Sequence, residues 1–174
     1  MPVDPFGDAL VRGFIRAALL TYAVSLLTRG RLGSVTDWEA ATRAGSHARC
    51  WWTISFLLYA THVVLAFHYY HNWSHADAIA RTREMSGFGE GIYVSHAFTL
   101  VWGLDVLCWW FMPGRYARRS VWVDRLLHGF MLFIIINGAV IFAEGLVRWL
   151  SVLGLIVLLV WWCLLRPGQD HMSS

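Results

Sequence analysis

Five apolar runs limit what this chain can fold into. They cover residues 9–28, 51–70, 91–112, 121–142 and 149–165. A helix needs about 20 residues, within ~17–25, to cross the hydrocarbon core of a bilayer. The last four runs meet that length. In lipid only a helix satisfies every backbone group within one segment, and runs this long are not barrel strands. The first run is interrupted by Arg12 and Arg16. Each arginine costs roughly 2.5–3.5 kcal/mol near a bilayer centre. Both lie in one half of the run, where snorkelling relieves much of that cost. Run one therefore either spans or lies on the surface.

Composition supports the same reading. Of 174 residues, 57% are hydrophobic and 14% charged, against about a quarter charged in soluble domains. That is too little polar surface to cover a water-soluble globule. All 14 basic residues are Arg, and the formal charge of +3 is spread over loops, so no nucleic-acid footprint is present. Cys50, Cys108 and Cys163 make no metal-type pair and read as packing residues. Asp4 and Asp8 are acidic where a cleavable signal is basic, so the N-terminus does not read as one.

Arginine sidedness gives an orientation. Arg29, Arg31, Arg43 and Arg49 follow run one. Arg115, Arg118 and Arg119 follow run three, and Arg166 follows run five. These stretches are expected on the cytoplasmic side, which places the C-terminus there. The eleven tryptophans fit interfacial belts, with Trp51, Trp52, Trp109, Trp110, Trp122, Trp161 and Trp162 at inner ends and Trp73 and Trp149 at outer ends.

Two capping boxes are legible. Thr36-Asp37-Trp38-Glu39 is expected to open the helix that climbs into run two, and Ser74-His75-Ala76-Asp77 a short outer helix over about 74–84. Pro113-Gly114 stops run three. Gly87, Gly89 and Gly91 form a flexible approach to it, not a phosphate loop, because no strand precedes them. The architecture expected is an all-α integral membrane bundle forming one domain, 1–174. It has five spans, or four plus an interfacial helix, capped by the short outer helix.

Three groups of residues invite chemistry. His68, His71, His75 and Asp77 lie at the outer edge, where imidazole and carboxylate are ligands for zinc, copper or iron. The bland alternative is that His and Tyr sit there at headgroup level. His62 lies ~16 Å from Trp51 along the helix, near the midplane, and with His96 is a candidate pair for gripping a haem between two spans. The alternative is a neutral His62 bonded to a neighbouring helix through Thr99 or Ser95. Asp105, Asp124, Arg125 and His128 fall at similar depths in the inner half. An unpaired carboxylate there is costly, so Asp105 is expected to pair with Arg125 or His128, as a structural pair before a proton relay. Asn137 is expected to bond between helices, and Glu144 to join the outer patch.

The stretch from His62 through Asp77 resembles uncharacterised multi-spanning membrane proteins of planctomycete-type bacteria. So does Gly89 through Thr99, followed by Trp102, Asp105 and Trp109-Trp110, and so does Asn137 through Gly145. The resemblance spans roughly runs two to four. It implies a multi-pass bacterial inner-membrane protein and imports no activity. It also implies an Asn where His96 stands here, which weakens His96 as an indispensable ligand.

No residue earns a catalytic role, and an enzyme is not favoured. Three functions remain open. The first is a small scaffold or accessory subunit, with the bilayer and other membrane subunits as partners. The second is a metal- or haem-binding protein using the histidines. The third is a small transporter or proton conductor, which needs a polar path from Asp105 and His128 to the outer patch.

Overall fold

The computed structural model describes residues 4–136 together with Trp149, Leu153 and Ile156. Its contacts divide the chain into two units, Met1–Met131 and Leu132–Ser174. Every described element is helical. In order they are α1 (Pro5–Arg29), α2 (Val35–Trp38), α3 (Arg43–His71), α4 (His75–Ser86), α5 (Gly91–Phe111), α6 (Pro113–Ala117) and α7 (Val121–Ile136). Three helical stretches are long and apolar enough to cross a membrane: Pro5–Arg29, Val35–His71 and Gly91–Phe111. The first is the run broken by Arg12 and Arg16. Arg12 is answered locally, its Nε donating to Asp8 Oδ2 at 2.7 Å one turn away. In the second unit only the end of α7 and three helical positions are described. The rest of the fifth run, the end of the fourth, Asn137, Glu144 and Cys163 lie outside the described residues.

The pairing of α1 with α3 is the backbone of the first unit. On α1 the buried positions are Gly7, Val11, Ala18, Tyr22, Ser25 and Arg29; on α3 they include Ala48, Trp52, Ser55 and Tyr59. Both series step by three, four or seven residues, the spacing of helices meeting along a narrow seam. Ala and Ser along it let two backbones approach where lipid gives no hydrophobic drive. The helices run antiparallel. At one end Gly7 lies so close to the Tyr69 ring that a Cβ would stand 2.3 Å from it, and Tyr70 Oη donates to Asp8 Oδ1 at 2.8 Å. On α5, Phe98, Trp102, Asp105 and Trp109 form the matching buried stripe.

The connections are built by short-range chemistry. Asp4 caps α1, accepting from the N–H groups of Phe6 and Gly7. Asn72 (φ 46°) and Trp73 (φ 62°) both take the left-handed region to end α3, and both N–H groups return to Phe67 O. Ser74 then caps α4, accepting the Asp77 N–H at 3.2 Å, which is one half of the capping box expected there.

The other expected box needs correction. The cap is Ser34, not Thr36, and its reciprocal partner is Asp37, not Glu39. The box opens the four-residue α2. A break follows, with Ala40 at φ 57°, and Thr42 caps α3 instead. Asp37 decides the outcome. Its carboxylate takes the N–H groups of Gly33 and Ser34 and the Thr42 hydroxyl, so α2 is folded back onto the start of α3. Gly45 makes that approach possible, because a Cβ there would stand 1.9 Å from Asp37 O.

The belt reading of the tryptophans also divides. Trp52 and Trp109 are fully buried and Trp102 is 4% exposed, whereas Trp51, Trp73, Trp110 and Trp122 are exposed.

Gly45→Val is expected to lower stability by about 1–3 kcal/mol, the usual cost of overpacking, by pushing α2 off α3. Gly13→Ala, where nothing stands within 4 Å of a Cβ, is expected to be neutral or to stabilise by about 0.5–1 kcal/mol. Thermal unfolding of the two variants in one detergent checks both.

Candidate functional site

The densest chemistry gathers where α1 and α5 end, α3 begins, and α2, α6 and the start of α7 meet them. Arg29, the last residue of α1, is only 4% exposed. Its guanidinium carbon lies 4.6 Å from the Trp52 ring centre, 5.0 Å from Trp109, 5.1 Å from Trp38 and 6.0 Å from Tyr116. Aromatic faces attract a cation, and more so away from water. Each wall has its own support. Trp109 stacks on Tyr116 with ring centres 4.6 Å apart and planes 4° from parallel. Trp109 Nε1 donates to Trp38 O at 2.7 Å, which locks α2 against α5.

Two carboxylates answer the charge. Arg29 Nη2 donates to Asp124 Oδ1 at 2.9 Å, and Nη1 to Tyr116 Oη at 2.8 Å. Tyr116 Oη in turn donates to Asp105 Oδ2 at 3.0 Å, and Trp52 Nε1 donates to the same oxygen at 2.9 Å. Arg119 bridges both acids, pairing with Asp105 Oδ1 and with Asp124 Oδ1. Two arginines and two aspartates leave the cluster neutral, and every carboxylate oxygen of Asp105 is bonded. Burial pushes the Tyr116 hydroxyl above its ordinary value, against the pull of Arg29, so it remains a donor. Burial opposes the Arg119 charge, but Tyr116, Asp105 and Asp124 outweigh it and raise its pKa.

Asp105 is thus paired, but its cation is Arg119 in the turn before α7. Arg125 instead sits 5.1 Å over the Trp122 ring. His128 approaches Asp124, with Nε2 3.9 Å from Oδ2, and shares a 3.4 Å hydrogen bond with Tyr22 Oη. Its ring packs against Trp52 at 5.5 Å. The sequence reading passed over Arg29, Trp52, Tyr116 and Arg119 as members of this group. One signal was present: Arg29 continues the stripe Val11, Ala18, Tyr22, Ser25 at helical spacing.

At midheight the chemistry is weaker. His62 Nδ1 lies 2.9 Å from Val11 O, so it bonds the neighbouring helix α1. Thr99 and Ser95, the partners expected for it, lie at Tyr59 Oη instead, each at 3.3 Å. Between Tyr59 and Tyr22 stands Trp102, with ring centres 5.5 and 6.0 Å away. Its buried Nε1 has no hydrogen-bond partner.

At the opposite end from Arg29 the histidines separate. His71, His75 and His96 surround Phe67, with ring centres 5.5, 5.1 and 5.6 Å from it, and His75 meets His96 edge-on at 5.3 Å. His68 leaves this group: its Nδ1 accepts from Trp73 Nε1 at 3.2 Å. Asp77 gives its backbone N–H to the Ser74 cap. The structure does not bring His68, His71, His75 and Asp77 to a common point. Among the described residues no three His, Cys, Asp or Glu side chains are placed to hold one metal ion. No ring contact joins His62 to His96.

No family model, curated protein or solved structure matches the chain.

Removing one member of a buried ion pair strands the other and costs about 3–5 kcal/mol. Asp105→Ala and Arg29→Ala are each expected to fall in that range. The double variant Arg29→Ala/Asp124→Ala is expected to cost less than the two single substitutions summed, by a coupling of about 0.5–3 kcal/mol. Denaturant unfolding in micelles measures the cycle. Additive losses would show that the cluster is not one network.

Proposed function

We propose that this chain is a small scaffold or accessory subunit of a membrane complex. In this reading it forms a five-span bundle of the bacterial inner membrane with its C-terminus in the cytoplasm. The kinship with planctomycete-type membrane proteins belongs to the same reading and adds no activity to it.

The observation that carries it is the outward face of α7. Trp122 and Leu126 are 66% and 71% exposed, and Gly129 follows them with open space where a Cβ would be. These positions follow one another by four and three residues, the spacing that presents one face of a helix. Large apolar groups beside a small residue suit close approach by a second helix in lipid. The same helix is anchored from its other side, because Asp124 is bound by Arg29 and Arg119. A helix held rigidly by a buried ion network and bearing such a face suits a fixed docking element. The neutral cluster, with both Asp105 oxygens bonded, suits a rivet in the same way.

The metal- and haem-binding alternative has less support, since His68 and His62 are each engaged away from their supposed partners. The conducting alternative draws on the ladder Asp124, His128, Tyr22, but that ladder meets the Trp102 indole before Tyr59.

The test places a photoreactive side chain at Leu126 and, as a control, at Leu20, which is 70% exposed on α1. In native membranes Leu126 is expected to give one discrete, stoichiometric protein adduct and Leu20 only lipid adducts. Lipid adducts at both positions, with a Soret band or a stoichiometric metal in the purified protein, would overturn the scaffold reading.

A further inference from the structure

A second feature lies on another face, between α3 and α5. A groove of about 470 Å³ runs there, lined by Thr53, Phe56, Leu57, Val106, Leu107 and Phe111, with Gly103 and Trp110 completing it. Gly103 sets its floor: a Cβ there would stand 3.0 Å from Phe56 Cζ, so the tip of the ring reaches the α5 backbone. The walls are apolar and outward, with Leu57 57%, Leu107 49% and Phe111 78% exposed. Both lining helices belong to the stretches long and apolar enough to cross a membrane, so the groove lies in the part of the protein that meets acyl chains.

One end of the groove is charged. Arg49 stands one turn before Thr53 on α3, and its guanidinium carbon is 3.9 Å over the Trp110 ring. The Trp110 indole N–H is spent on Thr53 Oγ1 at 2.9 Å, which holds the ring as a platform beneath the cation. Arg49 Nε is buried without a hydrogen-bond partner. No carboxylate among the described residues pairs with this arginine, although Arg12, Arg29, Arg83, Arg118 and Arg119 all have one. From Arg49 to Leu57 is eight residues, about 12 Å along the helix. An unanswered guanidinium on an interfacial tryptophan therefore heads an apolar trough that runs toward the middle of the span.

We infer that this groove is a phospholipid site, with one acyl chain lying in the trough and the phosphodiester against Arg49. Guanidinium geometry matches two phosphate oxygens, and an arginine stem lying along apolar surface keeps its head at the headgroup level. The lipid supplies the anion that the protein withholds from Arg49. A partner helix would have to bring its own carboxylate to the same place to answer that charge, whereas every phospholipid carries its anion at the head of the chain. The site is independent of the docking face on α7 and stands or falls separately from it.

The experiment uses the whole protein in nanodiscs carrying phosphatidylglycerol with a photoactivatable acyl chain, or diacylglycerol with the same chain. Labelled peptides are then mapped. Phosphatidylglycerol is expected to label the α3 and α5 peptides several-fold above the exposed face of α1, and excess unlabelled phosphatidylglycerol is expected to compete. Arg49→Gln is expected to reduce that labelling about tenfold, the loss of one charge-assisted hydrogen bond. Diacylglycerol labelling is expected not to respond to Arg49→Gln. Leu107→Trp, which fills the trough, is expected to block both probes. Uniform labelling of all exposed helices, indifference to both substitutions, or protection of the groove from both lipids would each overturn the proposal. The competition arm needs only the unaltered protein, so the proposal remains testable if a variant fails to fold.

Discussion

A guanidinium removed from water inside a protein has to be answered there, or the fold pays for it many times over. Arg29 is such a group, and the arrangement around it follows from that requirement. No single helix supplies what it needs. The aromatic walls come from α2, α3, α5 and α6, and the anions from α5 and α7. Short elements that look incidental become necessary on this view. The four residues of α2 place Trp38 over the cation. The five of α6 place Tyr116 where it can accept from Arg29 and Arg119 and donate to Asp105. Asp37 and Gly45 are remote from the charge, yet they fix the fold-back that brings Trp38 there.

Much of this was legible beforehand, and the part that was not has a physical reason. Run length alone located α3 and α5 and the body of α1. The Ser74 cap was read correctly because its competitors are weak. At Thr36 three hydroxyl and carboxylate side chains within four residues compete for the same N–H groups. Asp37 wins by bonding backward to Gly33 and Ser34, which no pattern of spacing ranks. That Asp105 must be paired followed from the cost of burying it. Which cation pairs with it did not follow, because Arg119 reaches it from a turn whose path depends on α6. Arg29 and Arg119 were counted as loop charges marking a membrane side. Sidedness treats such arginines as solvated, whereas Arg29 lies on the buried stripe of α1.

The histidines show the converse limit. His68 and His71 are spaced to share one helical face, and His75 joins them only if the helix runs through Ser74, which the cap at Ser74 argues against. The left-handed pair Asn72-Trp73 ends α3 just after His71, so His75 starts a new axis and meets His96 from α5 instead. Phe67 fills the space among His71, His75 and His96. Imidazoles gathered around a phenyl ring pack as amphipathic aromatics do, and a shared ion would need that ring to be elsewhere. Sequence proximity predicted the company these residues keep less well than the turn between them did.

Two of the arginines on the seam-bearing helices, Arg29 on α1 and Arg49 on α3, sharpen the point about charge. Both lie toward the same end of the paired helices, and both stand over tryptophan. Arg29 faces inward and meets Asp124 at 2.9 Å. Arg49 faces the groove, with an unpartnered Nε. The difference is where each lies on its helix: Arg29 continues a buried stripe, while Arg49 follows Ala48, which occupies the buried position beside it. A cation on the inner face is neutralised by the protein because nothing else can reach it. A cation on the lipid face can be neutralised by the bilayer itself, so no carboxylate need be supplied. The same electrostatic requirement thus accounts for the saturated cluster inside and for the unsaturated arginine outside.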